Sequence, residues 1–193
     1  MNFFKMIIQT ILFFGVVHSA EAKEYPGESI FNLNHEWLNR DAKTVQLKDL
    51  DGKVTAIALV YTSCQYACPM IIEEFKRVKA KINPEALGKV NFLLVSMDPQ
   101  RDTPEVLKAF SSKRKIDDPI WVFYTAKDEK PVRDLSAVLG VNIKKVGKEF
   151  AHSNLITIVG PEGVIEFAKP NLGQQIEEAA NVISKLASKL QKK

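Results

Sequence analysis

The chain has two cysteines, Cys64 and Cys68, and their type and spacing point most directly to chemistry. A bridge between them would close a very short loop, whereas a disulfide stabilises a protein mainly by closing a long one. The pair is therefore a poor structural device. In the first turn of a helix, residues at this spacing can come onto one face. Two such thiols can exchange disulfides, or they can bind one soft metal ion as thiolates.

The residues around the cysteines predict where they lie in the fold. An apolar, largely β-branched run over residues 54–61 predicts a strand that is buried on both faces. Pro69 suits the first turn of a helix, and residues 70–82 have helical periodicity. Ligand-bearing loops occupy this position, between strand and helix, in open α/β sheets. Because a helix N-terminus favours a thiolate, we expect a lowered pKa for Cys68.

The rest of the chain alternates between strand and helix patterns, which indicates βαβ units and an α/β class. Thr103 and Pro104 predict the cap and start of a second helix. The pattern predicts strands at residues 43–47, 90–97 and 120–124, a helix at 130–139, a hairpin at 155–159 and 164–167, and a final helix at 174–189. With the cysteines after the first buried strand, this order fits a thioredoxin-like fold. We expect a central mixed sheet flanked by helices, with a C-terminal β-hairpin and helix.

The first 22 residues have the pattern of a secretory signal peptide. Lys5 precedes an apolar run over residues 6–17, and Ala20 and Ala22 fit an A-x-A cleavage site. The alternative is an uncleaved anchor in the inner membrane, for which the apolar run is short of the ~20 residues that span a bilayer. We therefore expect residues 23–193 to form a single thioredoxin-like domain in the periplasm, where disulfides are permitted.

Charge bears on the choice of partners. The net charge of +4 comes from 27 basic and 23 acidic residues, and the sequence contains no basic stripe with interleaved aromatics. We therefore expect no nucleic-acid partner. We also expect the protein to be a monomer.

A third metal ligand is predicted at His152. Beyond the leader the sequence has two histidines, His35 and His152, and His152 directly precedes the predicted hairpin. In a thioredoxin-like fold, the loop that enters the strand at residues 155–159 lies against the loop that holds Cys64 (residues 62–67, the cysteine loop). Cys64, Cys68 and His152 would then form a site in which the thiolates select Cu(I) and the imidazole lets the site hold Cu(II). Zinc accepts the same ligand types, although structural zinc sites normally have four ligands. We expect His35 at the surface.

Three segments together resemble the Sco/SenC family. Residues 61–69 (YTSCQYACP) look like its Y-T-x-C-x-x-x-C-P signature, and residues 96–104 (SMDPQRDTP) look like its S-x-D-P-x-x-D-T-P segment. His152 with Ser153, followed by residues 155–159 and the sequence PEG, is similar to its histidine-and-hairpin segment. The resemblance covers roughly residues 30–190.

This resemblance implies a thioredoxin-like fold with copper bound by Cys64, Cys68 and His152. It also implies a redox-active Cys64–Cys68 disulfide in the oxidised, copper-free protein. Proteins of this family help to build the CuA centre of cytochrome c oxidase, so the implied partner is a copper-receiving protein such as subunit II of that enzyme. Many members have an acidic residue where Ala151 stands here. A carboxylate there would orient the imidazole, so its absence bears more on Cu(II) than on Cu(I) affinity.

Three functions remain open at this point. A copper metallochaperone, which is a binding and delivery protein rather than an enzyme, needs both thiolates and His152. A periplasmic thiol–disulfide oxidoreductase that reduces the cysteines of partner proteins needs Cys64 and Cys68. A thiol peroxidase needs one low-pKa cysteine that forms a sulfenic acid. The close second cysteine and His152 favour copper.

Other polar and soft side chains are expected to be structural. Aspartates in a loop before a helix are usually caps or turn formers, which is the role we expect for Asp98 and Asp102, with Arg101 paired to one of them. Met70 and Met97 can ligate copper, but both lie in apolar runs. We expect them to pack in the core.

Overall fold

A computed structural model describes residues 23–147, 149–152, 156–169 and 172–190 of the chain. The predicted leader lies outside these ranges. The side chains of residues 149, 151 and 152 also lie outside the described part.

The described ranges form nine strands, four α-helices and three short 3₁₀ helices. The strands are β1 (Trp37–Asn39), β2 (Thr44–Val45), β3 (Val54–Val60), β4 (Val90–Ser96), β5 (Trp121–Thr125), β6 (Ile143–Val146), β7 (Glu149–His152), β8 (Ile156–Val159) and β9 (Ile165–Lys169). The α-helices are α1 (Ala67–Lys81), α2 (Pro104–Lys113), α3 (Glu129–Val138) and α4 (Ile176–Lys189). The 3₁₀ helices are Ile30–Asn32, Leu47–Leu50 and Pro84–Lys89.

Seven of these strands form one mixed sheet, in the order β2-β1-β5-β4-β3-β8-β9. The three central strands β5, β4 and β3 are parallel, and the strands on both sides of them pair antiparallel. Strands β6 and β7 form a separate antiparallel hairpin. The predicted mixed sheet with a C-terminal hairpin and helix is therefore confirmed.

The centre of the sheet is the hydrophobic core. Every residue of β3 and β4 is buried, as expected for strands covered on both faces. On one face α1 packs beside α4, and Phe75 of α1 contacts the rings of Phe92 in β4 and Trp121 in β5, at centroid distances of 5.2 and 6.1 Å. The helix that follows the cysteines is thus seated directly on the central strands.

Two local predictions hold in detail. The Thr103 side chain accepts a hydrogen bond from the Val106 N–H and caps α2, whose first residue is Pro104. The β8–β9 turn contains Gly163 at φ +76°, where a Cβ atom would lie 2.6 Å from the Ser29 hydroxyl oxygen and 2.8 Å from the Phe31 ring. Both conformation and space therefore require glycine at this turn.

Other boundaries differ from the predictions. The predicted strand at residues 43–47 is only Thr44–Val45, and a 3₁₀ helix follows at Leu47–Leu50. Strand β1 and the β6–β7 hairpin were not predicted, because such short strands are selected by their tertiary partners rather than by a strong local pattern. Within the described residues, no helix is both long and apolar enough to cross a membrane.

Candidate metal centre

The cysteine loop connects the carboxyl end of β3 to the start of α1. The Cys64 N–H donates to the Tyr61 carbonyl oxygen at 3.2 Å, which closes a tight turn at the end of the strand. The Cys64 sulfur accepts a hydrogen bond from the Cys68 N–H at 3.3 Å, and the Cys68 sulfur accepts one from the Tyr61 N–H at 3.5 Å. Both cysteines are free thiols, and their side chains are hydrogen-bonded to each other. The two sulfur donors are therefore already adjacent.

Cys64 is the thiol that ionises more easily. Burial raises its pKa, but the hydrogen bonds that it accepts outweigh this effect, above all those from the Cys68 N–H and thiol. The net result is a pKa of Cys64 below its ordinary value. Cys64 therefore supplies the more available thiolate.

Cys68 behaves in the opposite way, so the prediction from its helix position was wrong. Its side chain is completely buried, and burial raises its pKa well above the ordinary value. The hydrogen bond from the Tyr61 N–H opposes this shift, whereas Cys64 and the negative charge of Asp102 add to it. The helix N-terminus is present, but loss of hydration outweighs it.

The β6–β7 hairpin brings the backbone of His152 to this end of the molecule. His152 pairs with Ile143 at the end of β7. Two residues earlier, the Phe150 ring contacts the Tyr61 ring at a centroid distance of 5.2 Å, and Tyr61 immediately precedes the cysteine loop. The imidazole of His152 lies outside the described part of the structure. Among the described side chains, no group of three His, Cys, Asp or Glu residues is arranged to hold a metal ion, so the third ligand stays a prediction.

A cavity of about 210 Å³ lies beneath the hairpin. Met97, Val132, Ile143 and Phe150 line it, and Met97 is buried as predicted. The prediction for Met70 was wrong, because this side chain is 57% exposed. Met70 lies about 200° around α1 from Cys68, since each residue advances 100° around a helix. It therefore points away from the sheet.

The segment after β4 is joined to the cysteine loop. Asp98 is buried and pairs with the Arg101 guanidinium, which confirms the predicted pairing. The Asp102 carboxylate accepts hydrogen bonds from the Thr62 N–H at 3.0 Å and the Thr62 hydroxyl at 2.5 Å. Sequence reasoning missed this long-range contact and assigned Asp102 only a local role.

His35 is half-buried and lies 2.9 Å from a carboxylate oxygen of Asp134 in α3. Its imidazole is therefore engaged elsewhere in the fold. The sequence predicts His35 at the surface, whereas the structure shows its imidazole half-buried against α3.

The SCO1/SenC family model matches residues 23–188 of the chain. The chain belongs to the SCO1/SenC family. The match confirms the resemblance carried by the three sequence motifs. It covers all the described elements of the fold except Lys189, the last residue of the C-terminal helix.

Individual SCO1/SenC proteins agree with this assignment. The SCO1 protein homolog of Bacillus subtilis is 26% identical over 141 residues, which cover 69% of this chain and 72% of the relative. The copper-bound structure of Bradyrhizobium japonicum ScoI is 29% identical, with a TM-score of 0.66 over 79% of this chain and 96% of that one. A SCO1/SenC family lipoprotein of Bacillus anthracis is 25% identical, with a TM-score of 0.71 over 79% and 92% of the two chains. The predicted thioredoxin-like fold is confirmed by these matches.

The described donors of this SCO1/SenC chain suit a soft metal ion. Two adjacent thiols can supply the thiolate ligands that Cu(I) prefers. Each thiol must lose its proton to bind, and the pKa values of Cys64 and Cys68 are shifted in opposite directions. Of the two thiols, Cys64 is therefore the one that loses its proton more readily.

Proposed function

We propose that this protein is an exported copper metallochaperone that binds copper through Cys64, Cys68 and His152. The adjacent, hydrogen-bonded thiols of Cys64 and Cys68 carry the proposal. Membership of the SCO1/SenC family supports it, as does the copper-bound Bradyrhizobium relative. The two thiolates would hold Cu(I), and the imidazole of His152 would extend the site to Cu(II).

Copper is cargo in this proposal, and its recipient is a protein that needs a copper centre. The family resemblance makes the CuA centre in subunit II of cytochrome c oxidase the proposed destination. A partner can reach the dithiol from one side, because Cys64 is slightly exposed whereas Cys68 is completely buried. We therefore expect transfer to begin at Cys64.

The proposed location is the periplasm. The leader pattern of residues 1–22 supports export, and the lipoprotein relative from Bacillus anthracis agrees with an exported or membrane-associated protein. The family match begins at residue 23, which would follow the proposed cleavage after Ala22. We propose that residues 23–193 form one thioredoxin-like domain. Radiolabelled export with N-terminal sequencing tests this: a mature N-terminus other than Lys23 would contradict the cleavage site.

The direct test is an anaerobic Cu(I) titration of the reduced protein against a competing chelator. One tightly bound equivalent is expected for the wild type, with binding lost in Cys64→Ser and in Cys68→Ser. Cu(II) binding should weaken strongly in His152→Ala. The matched control is His35→Ala, which removes the other histidine beyond the leader and should leave both affinities unchanged.

The outcomes separate the parts of the proposal. If the wild type does not compete with the chelator for Cu(I), the copper function is wrong. If His152→Ala binds Cu(II) as well as His35→Ala does, the third ligand is wrong while the two-thiolate site stands.

A further inference from the structure

Asp102 is a buried carboxylate whose hydrogen bonds join two neighbouring loops. Its side chain is 1% exposed. The carboxylate accepts three hydrogen bonds, from the Thr62 N–H at 3.0 Å, the Thr62 hydroxyl at 2.5 Å and the Ser96 hydroxyl at 2.6 Å. Thr62 follows β3 and Ser96 ends β4, so Asp102 ties together the carboxyl ends of two parallel strands.

An aspartate in this position usually caps the helix that follows it. Here Thr103 caps the helix, because its side chain accepts a hydrogen bond from the Val106 N–H in the first turn of α2. The Asp102 carboxylate instead accepts hydrogen bonds from Thr62, which lies 40 positions earlier in the chain, and from Ser96, which lies 6 positions earlier. Its contacts therefore serve the cysteine loop rather than its own helix.

Thr62 transmits this contact to the thiols. It stands between Tyr61 and Cys64 in the turn that the Cys64 N–H closes on the Tyr61 carbonyl oxygen. The Tyr61 N–H in turn donates to the Cys68 sulfur. Fixing Thr62 through both its backbone and its side chain therefore fixes the turn that sets the positions of both sulfur atoms.

We propose that Asp102 is a positioning residue for the Cys64–Cys68 site. Its carboxylate anchors Thr62 and so holds the two thiols at the separation that chelation and disulfide formation both require. This deepens the proposed function, since it presumes that the two thiols act together. It does not touch the metal, and it acts through Thr62.

The test is the equilibrium between the protein dithiol and glutathione disulfide, which is read without copper. One protein disulfide and two glutathione thiols form from one dithiol and one glutathione disulfide, so electrons and protons balance. Asp102→Ala frees the turn and should lower the equilibrium constant for disulfide formation about tenfold, which corresponds to a potential about 30 mV higher. Asp102→Asn can preserve the contacts with Thr62 and should stay within about threefold of the wild type, or about 15 mV.

The matched control is Thr103→Ala, which removes a hydrogen bond from the adjacent residue but leaves the cysteine loop untouched. It should lower stability to urea without changing the glutathione equilibrium. Thr62→Val, which keeps the backbone contact and loses the hydroxyl contact, should shift the equilibrium in the same direction as Asp102→Ala but by less.

Three results would overturn the proposal. Equal shifts in Asp102→Ala and Thr103→Ala would show that general destabilisation is responsible. An Asp102→Asn shift as large as that of Asp102→Ala would assign the effect to charge. An unshifted Asp102→Ala variant that is folded by circular dichroism would remove the positioning role. Should Asp102→Ala not fold, Thr62→Val decides alone, and an unchanged equilibrium in it would refute the role. Failure of the wild type to bind Cu(I) would refute the proposed function and leave these results unaffected.

Discussion

The cysteine loop and the β6–β7 hairpin meet at the Tyr61–Phe150 contact, but they are attached to the fold in different ways. The cysteine loop is continuous with a fully buried central strand and with α1, and Asp102 anchors it from the side. The hairpin is a separate two-stranded sheet, and three of the four residues of β6 are exposed.

The contrast assigns different tasks to the two regions. The framework of the sheet determines how the two thiols are placed, whereas the hairpin that carries His152 borders a cavity and leaves most of β6 exposed. Local stability generally follows buried apolar contact. A change in the hairpin should therefore affect the predicted imidazole ligand and leave the dithiol as it was.

The largest expected effect comes from removing the buried ion pair that anchors α1, the helix that follows the cysteine loop. Glu74 and Lys169 are 3% and 0% exposed, and the Lys169 Nζ lies 2.5 Å from a Glu74 carboxylate oxygen. Glu74 also accepts the Gly173 N–H. Because Glu74→Ala leaves a buried ammonium without this partner, we expect a loss of about 3–5 kcal/mol in the free energy of unfolding, measured by urea denaturation.

The control for this change is the neighbouring Glu73→Ala, which removes an exposed pair with Lys76. Exposed pairs contribute about 0–1 kcal/mol, so the loss should stay in that range. Equal losses in the two variants would show that the Glu74–Lys169 pair does not anchor α1.

The two thiols should react differently in the folded protein. Cys64 has the lowered pKa and some exposure, whereas Cys68 is completely buried with a raised pKa. Iodoacetamide near neutral pH should therefore add one group to the native reduced protein and a second only in denaturant, as counted by mass spectrometry. In Cys64→Ser the native protein should resist alkylation. Rapid modification of that variant would contradict the assigned order of the thiols.

A smaller loss of stability is expected from Phe150→Ala in the hairpin. Phe150 is half-buried and contacts Tyr61, so we expect a loss of about 1–2 kcal/mol, below the ~3–5 kcal/mol typical of a fully buried phenylalanine. The variant should also weaken Cu(II) binding through His152 and leave the glutathione equilibrium of the dithiol unchanged.

Val146→Ala is the control on the same hairpin, because Val146 is 55% exposed. It should change neither the free energy of unfolding nor Cu(II) binding. If Phe150→Ala shifted the dithiol equilibrium as strongly as Asp102→Ala, the two regions would not be independent.

The smallest effect is a pH dependence at Asp102. Burial raises its pKa in the folded state, against the hydrogen bonds from Ser96 and Thr62. A carboxyl group whose folded pKa is raised favours folding below its unfolded pKa, and this contribution is lost as pH rises through the folded pKa. The stability of Asp102→Asn relative to the wild type should therefore rise with pH from about pH 4 upwards. Urea titrations between pH 4 and 7 check this, and the opposite trend would contradict the sign of the shift.

Local sequence patterns determined the elements that carry the thiols. A continuous, largely apolar run rich in β-branched residues predicted β3, Pro69 marked the first turn of α1, and the Thr103–Pro104 pair marked the start of α2. These signals work because backbone propensity and capping depend on neighbouring residues. The three motifs then identified the family that the matching model confirmed.

Tertiary structure decided what those residues do. The sequence placed Cys68 correctly at a helix start, but its ionisation depends on complete burial, which is a property of the packed core. Similarly, the contact between Asp102 and Thr62 spans 40 positions and exists because β3 and β4 lie side by side. Burial and long-range pairing depend on segments that are distant from one another in the sequence, so a local pattern cannot predict them.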